Sequence, residues 1–357
     1  MTTTVEETIW TSVVHGAVHG ATVTDLGGRH PMSVSACGFT AADARRGALA
    51  RYHAARALQE AANGPTAVGP GPVRALCPAD FVPGGAEPGA APPLPALSGV
   101  GAVSGLRYLV PARIFFSAPV PAAVREPVLD GAPTPGPALA EVLALDVAAR
   151  WWRHPHTRLA DATVLLSDRL PEEVRRALPA QGLTAEAFLW TSVGFALGMV
   201  VMHRGDGEAA SFGVSGRETP GAALEDAFLK AMAARLGRPP GPGSAGRTAR
   251  PGAHRALRTR FAPPTGPSGT RALTAWHQGS EQLALLRRHA VGRLPSGAWP
   301  AVDWPAVDWV ELAHRRFGHE PVLVTLPTAG GGHTVQAACP GAEVYRASAV
   351  SVPSFPF

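Results

Sequence analysis

EVLALDVAARWW, residues 141–152, is the stretch on which the reading of this chain turns. The turn-rich GAPTPGP at 131–137 runs directly into it and prepares a sharp helix start near Ala138. The predicted helix carries two acids, Glu141 and Asp146, and reaches a tryptophan pair, Trp151 and Trp152. Just beyond it, His154 and His156 flank Pro155 in what reads as a helix-ending turn.

Working outward, the whole chain is long enough to bury a large core. It has 357 residues with 46% hydrophobic content, which points to a globular protein and away from a disordered one. The first residues, MTTTVEETIW, lack the basic and apolar regions of a targeting segment, and no run approaches the roughly 18 apolar residues of a membrane helix. A cytoplasmic protein without a membrane span is expected. Cys37, Cys77 and Cys339 are three and far apart, which argues against a disulfide framework and against a zinc site of paired cysteines. The formal charge of +5 comes from scattered arginines, with Lys230 the single lysine. Without an aromatic and basic platform, that charge does not predict nucleic-acid binding.

Along the chain, strands are predicted at 18–26 and 31–39, joined by a turn at Gly27-Gly28, and Thr40 then caps a helix over 41–62. Ala44, Ala48, Leu49, Tyr52, Ala55 and Leu58 or Gln59 give that helix an apolar face. Residues 64–98 are rich in Pro and Gly; 84–98 is expected to be loop, with a short strand possible in 73–81. Strands follow at 108–116 and 162–167, then a helix at 171–178. The apolar run 188–203, with Gly194 and Gly198 inside it, fits either a buried strand pair or a packed helix. A strand, a turn and a helix over 220–236 come next. Residues 237–269, poor in large apolar side chains, are expected to be a disordered insertion. The end of the chain reads helix 309–317, strand 321–326, a glycine turn at 330–332 and strand 334–338. Hairpins mixed with crossovers predict an α+β fold, with mixed sheets covered by helices, as a single domain over 1–357.

Three helices carry a resemblance to the YcaO family, the ATP-dependent enzymes that modify backbone amides of ribosomal peptides. Residues 141–152 resemble that family's E-V-I-E-R-D-A-x-x-x-W-W: Glu141, Val142, Asp146, Trp151 and Trp152 match, while Ala144 and Leu145 replace a Glu and an Arg. ACGFTAADARRGALARYHAAR (36–56) is similar to its first nucleotide-site helix in Gly38, Ala44 and Ala48, but Gly47 stands for a Ser and Arg51 for a Glu. AFLKAMAAR (227–235) keeps the flanking Ala and the final Arg235 of the third, with Lys230 in place of a Glu and Ala233 in place of a Gln. The strand 322–326, the AACPG at 337–341 and the Pro-containing end VPSFPF extend the likeness, so that it covers most of the chain from about Val23.

The resemblance implies a YcaO-like fold and, in an active member, ATP and magnesium. There a Cys, Ser or Thr of a precursor peptide attacks the preceding amide, ATP phosphorylates the amide oxygen, and loss of phosphate leaves an azoline. It implies Glu141, Asp146, Arg51, Lys230 and Arg235 as nucleotide-site residues, with Glu141 a metal ligand, and puts Pro353, Pro356 and Phe357 at the active site. Magnesium requires hard oxygen ligands, and here two of the implied acids are cations. A unit cation about 4 Å from a divalent metal is repelled by on the order of 8 kcal/mol at an effective dielectric of about 20. The expectation is therefore a degenerate, non-catalytic or auxiliary subunit of a thiazole- or oxazole-forming complex. Its precursor peptide, and a separate leader-peptide-binding or catalytic YcaO partner, would complete it, in a homodimer or heterocomplex. Two alternatives stand beside it. One is an active, divergent cyclodehydratase using acids such as Asp43, Glu60, Asp146 or Glu225. The other is an anion- or small-ligand-binding protein that uses Arg51, Lys230 and Arg235 on phosphate without metal.

Weaker signals have plainer readings. His15 and His19 are separated by glycines that argue against a metal-binding helix. Gly330, Gly331 and Gly332 lead from strand to strand, a hairpin turn without the helix N-terminus of a phosphate cradle. Trp304 and Trp309 read as packing residues, and neither Ser104 nor Cys37 has the flanking elbow or base partner of a nucleophile.

Overall fold

The computed structural model describes residues 5–14, 16–25, 32–64, 72–81, 95–116, 127–153, 155, 157–190, 193–205, 207–236, 280–294, 306–329 and 331–348. They fall into two compact units. Unit 1 comprises Met1–Leu49, His154–Pro305 and Pro353–Phe357; unit 2 comprises Ala50–Arg153 and Ala306–Val352. The 237–269 segment, His15, His154, His156, Trp304, Gly330 and the terminal Pro353, Pro356 and Phe357 lie outside the described residues.

Unit 1 opens with an antiparallel meander of β1 (Val5–Val14), β2 (Val18–Asp25) and β3 (Met32–Gly38). Helix α1 (Ala41–Asn63) starts on Thr40, whose Oγ1 accepts the Asp43 amide at 3.1 Å and donates to the Asp43 carboxylate at 2.6 Å. The first bond is the N-cap half of the capping that the Thr40 and Asp43 spacing predicts; the second comes from the Thr40 hydroxyl and not from its backbone amide. The expected apolar face is buried at Ala44, Ala48, Tyr52, Ala55, Leu58 and Gln59. The rest of unit 1 is built on a five-stranded sheet of order β10-β9-β8-β7-β11. Its strands are β7 (Leu159–Asp161), β8 (Thr184–Trp190), β9 (Ala196–Arg204), β10 (Glu208–Arg217) and β11 (Ala290–Arg293), and only β7 and β11 pair in parallel. Helices α3 (Thr163–Arg169), α4 (Glu172–Ala180), α5 (Pro220–Leu236) and α6 (Ser280–His289) accompany it.

The ambiguous run 188–203 is thus a strand pair, and β9 is buried from Ala196 to His203, the continuous apolar pattern of a strand covered on both faces. The strand expected at 162–167 is instead helix α3. Asp161 Oδ1 accepts the Thr163 amide at 2.9 Å and starts the helix, and Leu165 and Leu166 turn into the core. A short apolar run carries too few residues for periodicity to tell the two states apart.

Unit 2 holds a mixed sheet of order β13-β12-β5-β6-β4. It consists of β4 (Val73–Ala75), β5 (Ala96–Gly101), β6 (Arg107–Pro111), β12 (Val322–Pro327) and β13 (His333–Ala338), with β4 parallel to β6. Residues 96–98, inside the stretch 84–98 expected as loop, belong to β5 and pair with β6. The strand expected over 108–116 stops at Pro111, which has no amide hydrogen to continue the ladder, and a 3₁₀ turn, Ala112–Phe115, follows. Helices α2 (Pro135–Arg153) and α7 (Trp309–Phe317) complete the unit, with α2 packed on β13. Asp308 caps α7 by accepting the Glu311 amide at 3.0 Å, and Gly318, at φ 71°, ends it. β12 and β13 pair antiparallel, and beyond their ends Thr328 N donates to Gly332 O. The architecture is α+β with mixed sheets and helices, and no helix among the described residues is long and apolar enough to cross a membrane.

The tightest constraint in unit 1 is the approach of α5 to β9 and β10. A Cβ on Gly213 would lie 2.0 Å from Ala227 O and 2.5 Å from Ala231 N, and one on Gly198 would lie 3.1 Å from the Leu224 amide. Helix backbone therefore rests almost directly on strand backbone, and only glycine leaves the room. Gly213→Ala should destabilise the protein by about 3 kcal/mol, because backbone atoms cannot rotate out of the way; the shift of the urea unfolding midpoint measures it.

Candidate functional site

The five residues expected at a nucleotide site divide between the units: Arg51, Glu141 and Asp146 belong to unit 2, Lys230 and Arg235 to unit 1. In unit 2, Arg51 on α1 reaches Asp130, Nη2 to Oδ2 at 2.9 Å. The Asp130 amide in turn points at Glu141 Oε1 on α2, a long hydrogen bond of 3.4 Å. Arg51 and Glu141 are thereby brought into one neighbourhood, joined by a residue that no motif singled out. The loop carrying Asp130 turns at Gly131, φ 73°, where a side chain would run into Gln336 Nε2 at 2.5 Å and Thr334 Oγ1 at 2.8 Å.

Asp146, one and a half turns further along α2, has a different situation. Its carboxylate is 0% exposed. Arg150 Nε donates to both oxygens at 3.0 Å, Arg316 Nε to Oδ2 at 2.7 Å, and the Glu343 amide to Oδ1 at 2.7 Å. Arg150 also donates through Nη2 to Gly341 O at 2.8 Å. The acid ties α2, α7 and the 3₁₀ turn Glu343–Ser348 together. This use is structural: a buried carboxylate is tolerable only when paired and hydrogen-bonded, and Asp146 is both. Around it the field is acidic. Burial first, and then the Asp146 charge, drives the Cys339 thiol well above its ordinary range. Burial, with smaller contributions from Cys339, Glu141 and Asp146, does the same to the Tyr345 hydroxyl, which donates to Ala337 O. Cys339 and Tyr345 are accordingly neutral core groups.

In unit 1, α5 and β10 together build a second polar cluster. Ser215 and Arg217 lie on the same face of β10, Asp226 and Lys230 one turn apart on α5. All of them meet at one oxygen: Asp226 Oδ2 accepts from Ser215 Oγ at 2.6 Å and from Arg217 Nη2 at 2.8 Å, and Lys230 Nζ stands 3.4 Å away. The close seat of α5 on Gly213 is what lets side chains as short as Ser215 and Asp226 touch. Arg235 is in the last turn of α5, partly exposed.

Other candidates are occupied elsewhere. Ser104 donates to Glu320, whose carboxylate also takes the Val103 and Ser104 amides and the Tyr108 hydroxyl. Burial opposes that carboxylate's charge, but these donors outweigh it and hold the group at about 2. Asp43 pairs with Arg46 and Glu60 with Arg56, on exposed turns of α1. His19 sits in β2 opposite Gly38, and Cys37 in β3 opposite Gly20. A third ionic cluster went unread: buried His203 is 2.8 Å from Glu186, which also pairs with Arg287. Against the opposing effect of burial, the His203 and Arg287 hydrogen bonds pull the Glu186 carboxyl down to about 2. Glu186 and Arg287 line an open cleft of about 360 Å³ with Asp161, Phe188 and Arg293. Among the described residues, no three of His, Cys, Asp and Glu converge so as to hold a metal ion.

In this arrangement Asp130, Asp146 and Asp226 are taken up by the chain's own cations, whereas hard-cation sites depend on carboxylate oxygens left for the metal. What it offers chemically is cationic hydrogen-bond donors fixed around oxyanions. Asp146→Ala should destabilise the fold by about 3 kcal/mol, because Arg150 and Arg316 lose the anion that neutralises them; denaturant unfolding of the variant checks this.

No family profile matches the sequence, and no curated protein matches it. Among the solved structures similar to this chain, two cover nearly all of it. One is YcaO from Methanopyrus kandleri bound with AMPPCP and Mg2+, with a TM-score of 0.62 and 16% identity over 99% of this chain and 89% of that one. The other is a heterocyclase in complex with substrate and cofactor, with a TM-score of 0.60 and 16% identity over 95% of this chain. The present chain spans 50% of that heterocyclase. With an α+β architecture of helices and mixed sheets, and with a like structure across nearly its whole length, the chain has the YcaO fold.

Proposed function

We propose that this chain is a YcaO-like subunit of a system that makes thiazole or oxazole rings in a ribosomal peptide, and that it serves there as an auxiliary, non-catalytic component. The fold likeness to the YcaO protein and to the heterocyclase supports the peptide-modifying setting. One observation carries the non-catalytic part. Both positions where the family resemblance places an acid and this chain has a cation form ion pairs within their own unit, Arg51 closely with Asp130 and Lys230 more loosely with Asp226.

The physical consequence is twofold. A magnesium ion brought near either cation meets repulsion of several kcal/mol. Asp130 and Asp226, the acids beside those cations, are already paired with them. Asp146, the other acid retained from the family pattern on α2, is bound by two arginines and an amide. Catalysis is therefore assigned to a partner, a competent YcaO protein, and leader recognition to a separate peptide-binding protein, with the precursor peptide as their common ligand. The present chain contributes surface and geometry to a homodimer or a heterocomplex.

Mass spectrometry tests this directly. Incubated alone with ATP, magnesium and a precursor peptide rich in Cys, Ser and Thr, the chain should leave the peptide mass unchanged. With a YcaO enzyme that co-purifies with it, omission of this chain should lower the yield of the species lacking one water. Loss of water from peptide incubated with this chain alone overturns the proposal.

A further inference from the structure

We propose that Arg217 and Lys230 form a metal-independent site for a phosphate oxyanion, and that the Asp226 carboxylate holds this site in shape as an internal counter-anion. The inference rests on the reading above in one respect, that Lys230 faces no magnesium.

The geometry is that of an oxyanion receptor already assembled. Donors converge from two elements, Ser215 and Arg217 from β10 and Lys230 from α5, onto the single anionic oxygen Asp226 Oδ2. Among the described residues, two full cations, Arg217 and Lys230, face the one Asp226 carboxylate, a balance of one positive charge for these three groups. Their bonding capacity is also far from used. Arg217 presents five N–H donors, of which the structure directs Nη1 to Gly216 O and Nη2 to Asp226. Lys230 has three, and at 3.4 Å its ammonium makes an ion pair with Asp226 at a distance too long for a good hydrogen bond.

Access is built in as well. The Arg217 side chain is 34% exposed and that of Lys230 22%, so the cations are part desolvated and still reachable. A phosphate group suits such a pair better than a second carboxylate does. It brings up to two negative charges and several acceptor oxygens, one set for a planar guanidinium fork and another for the point charge of an ammonium. Ser215 contributes by fixing Asp226, and the glycine seat of α5 fixes the distance between the cations. No charged or polar side chain has to leave its element for the anion to bind; Lys230 only swings from a loose pair to a tighter one.

Calorimetric titration of the full chain in EDTA with inorganic phosphate, and separately with ADP, tests the proposal. Both ligands should bind. Similar affinities indicate a site for free phosphate, and ADP at least tenfold tighter indicates a phosphate carried by a nucleotide. Lys230→Gln, which leaves the Arg217 and Asp226 pair intact, should weaken phosphate binding at least tenfold. Asp226→Asn, which removes the competing charge, should tighten it. Thermal unfolding without ligand shows that each variant is folded. No binding to folded wild-type protein in EDTA, or binding that Lys230→Gln leaves unchanged, overturns the site. These outcomes are distinct from failure of the auxiliary reading, because ring formation by the chain alone would contradict that reading and leave metal-free phosphate binding untouched.

Discussion

A carboxylate removed from water has to be matched by charge and hydrogen bonds or it unfolds what surrounds it, and Asp146 is the fully buried acid on which unit 2 is organised. Two arginines and one backbone amide converge on it from α2, α7 and the turn at Glu343, three segments far apart in the chain. Their convergence fixes the position of α2, and with it the neighbourhood of Glu141, Asp130 and Arg51. The helix that dominated the reading of the sequence is thus also the one that anchors the unit.

The same pattern recurs in both units. Asp130 is matched by Arg51, Asp226 by Arg217 and Lys230, Glu186 by Arg287 and His203. An arginine-rich chain has used its cations on its own acids. On the function proposed above, the charge that a metal would bring from outside is supplied from within, and it comes permanently attached. The three-donor cluster at Asp226 follows the same logic to a different end: once the cation is part of the protein, the ligand it invites is an anion.

Much of the fold was legible because its signals are local. Helices α5 and α7 have the limits that their turn and cap residues indicate, and Thr40 starts α1 through the N-cap bond its spacing to Asp43 implies. Where local signals are weak the reading failed or stayed open. The run 162–167 was too short for its period to distinguish helix from strand, and β5 was hidden in a Pro- and Gly-rich stretch because its pairing with β6 is a tertiary fact. Strand β1 and helix α6 were not read at all. The site divides in the same way. The Asp226 and Lys230 pair is visible as an i, i+4 spacing, whereas Asp130 beside Arg51, and Arg217 beside Asp226, exist only once the chain has folded. Asp146 matches a nucleotide-site pattern, but its burial under two arginines and an amide is likewise a tertiary fact.

The claim at the centre of this account is that fixed cations have taken the place of a metal-bound nucleotide. Calorimetric titration with ATP, with and without magnesium, on wild-type protein and on Glu141→Ala measures it most directly. The account predicts that magnesium adds no binding in either protein. Magnesium-dependent ATP binding that disappears in Glu141→Ala would contradict it, and would show that the acid retained on α2 still serves a metal.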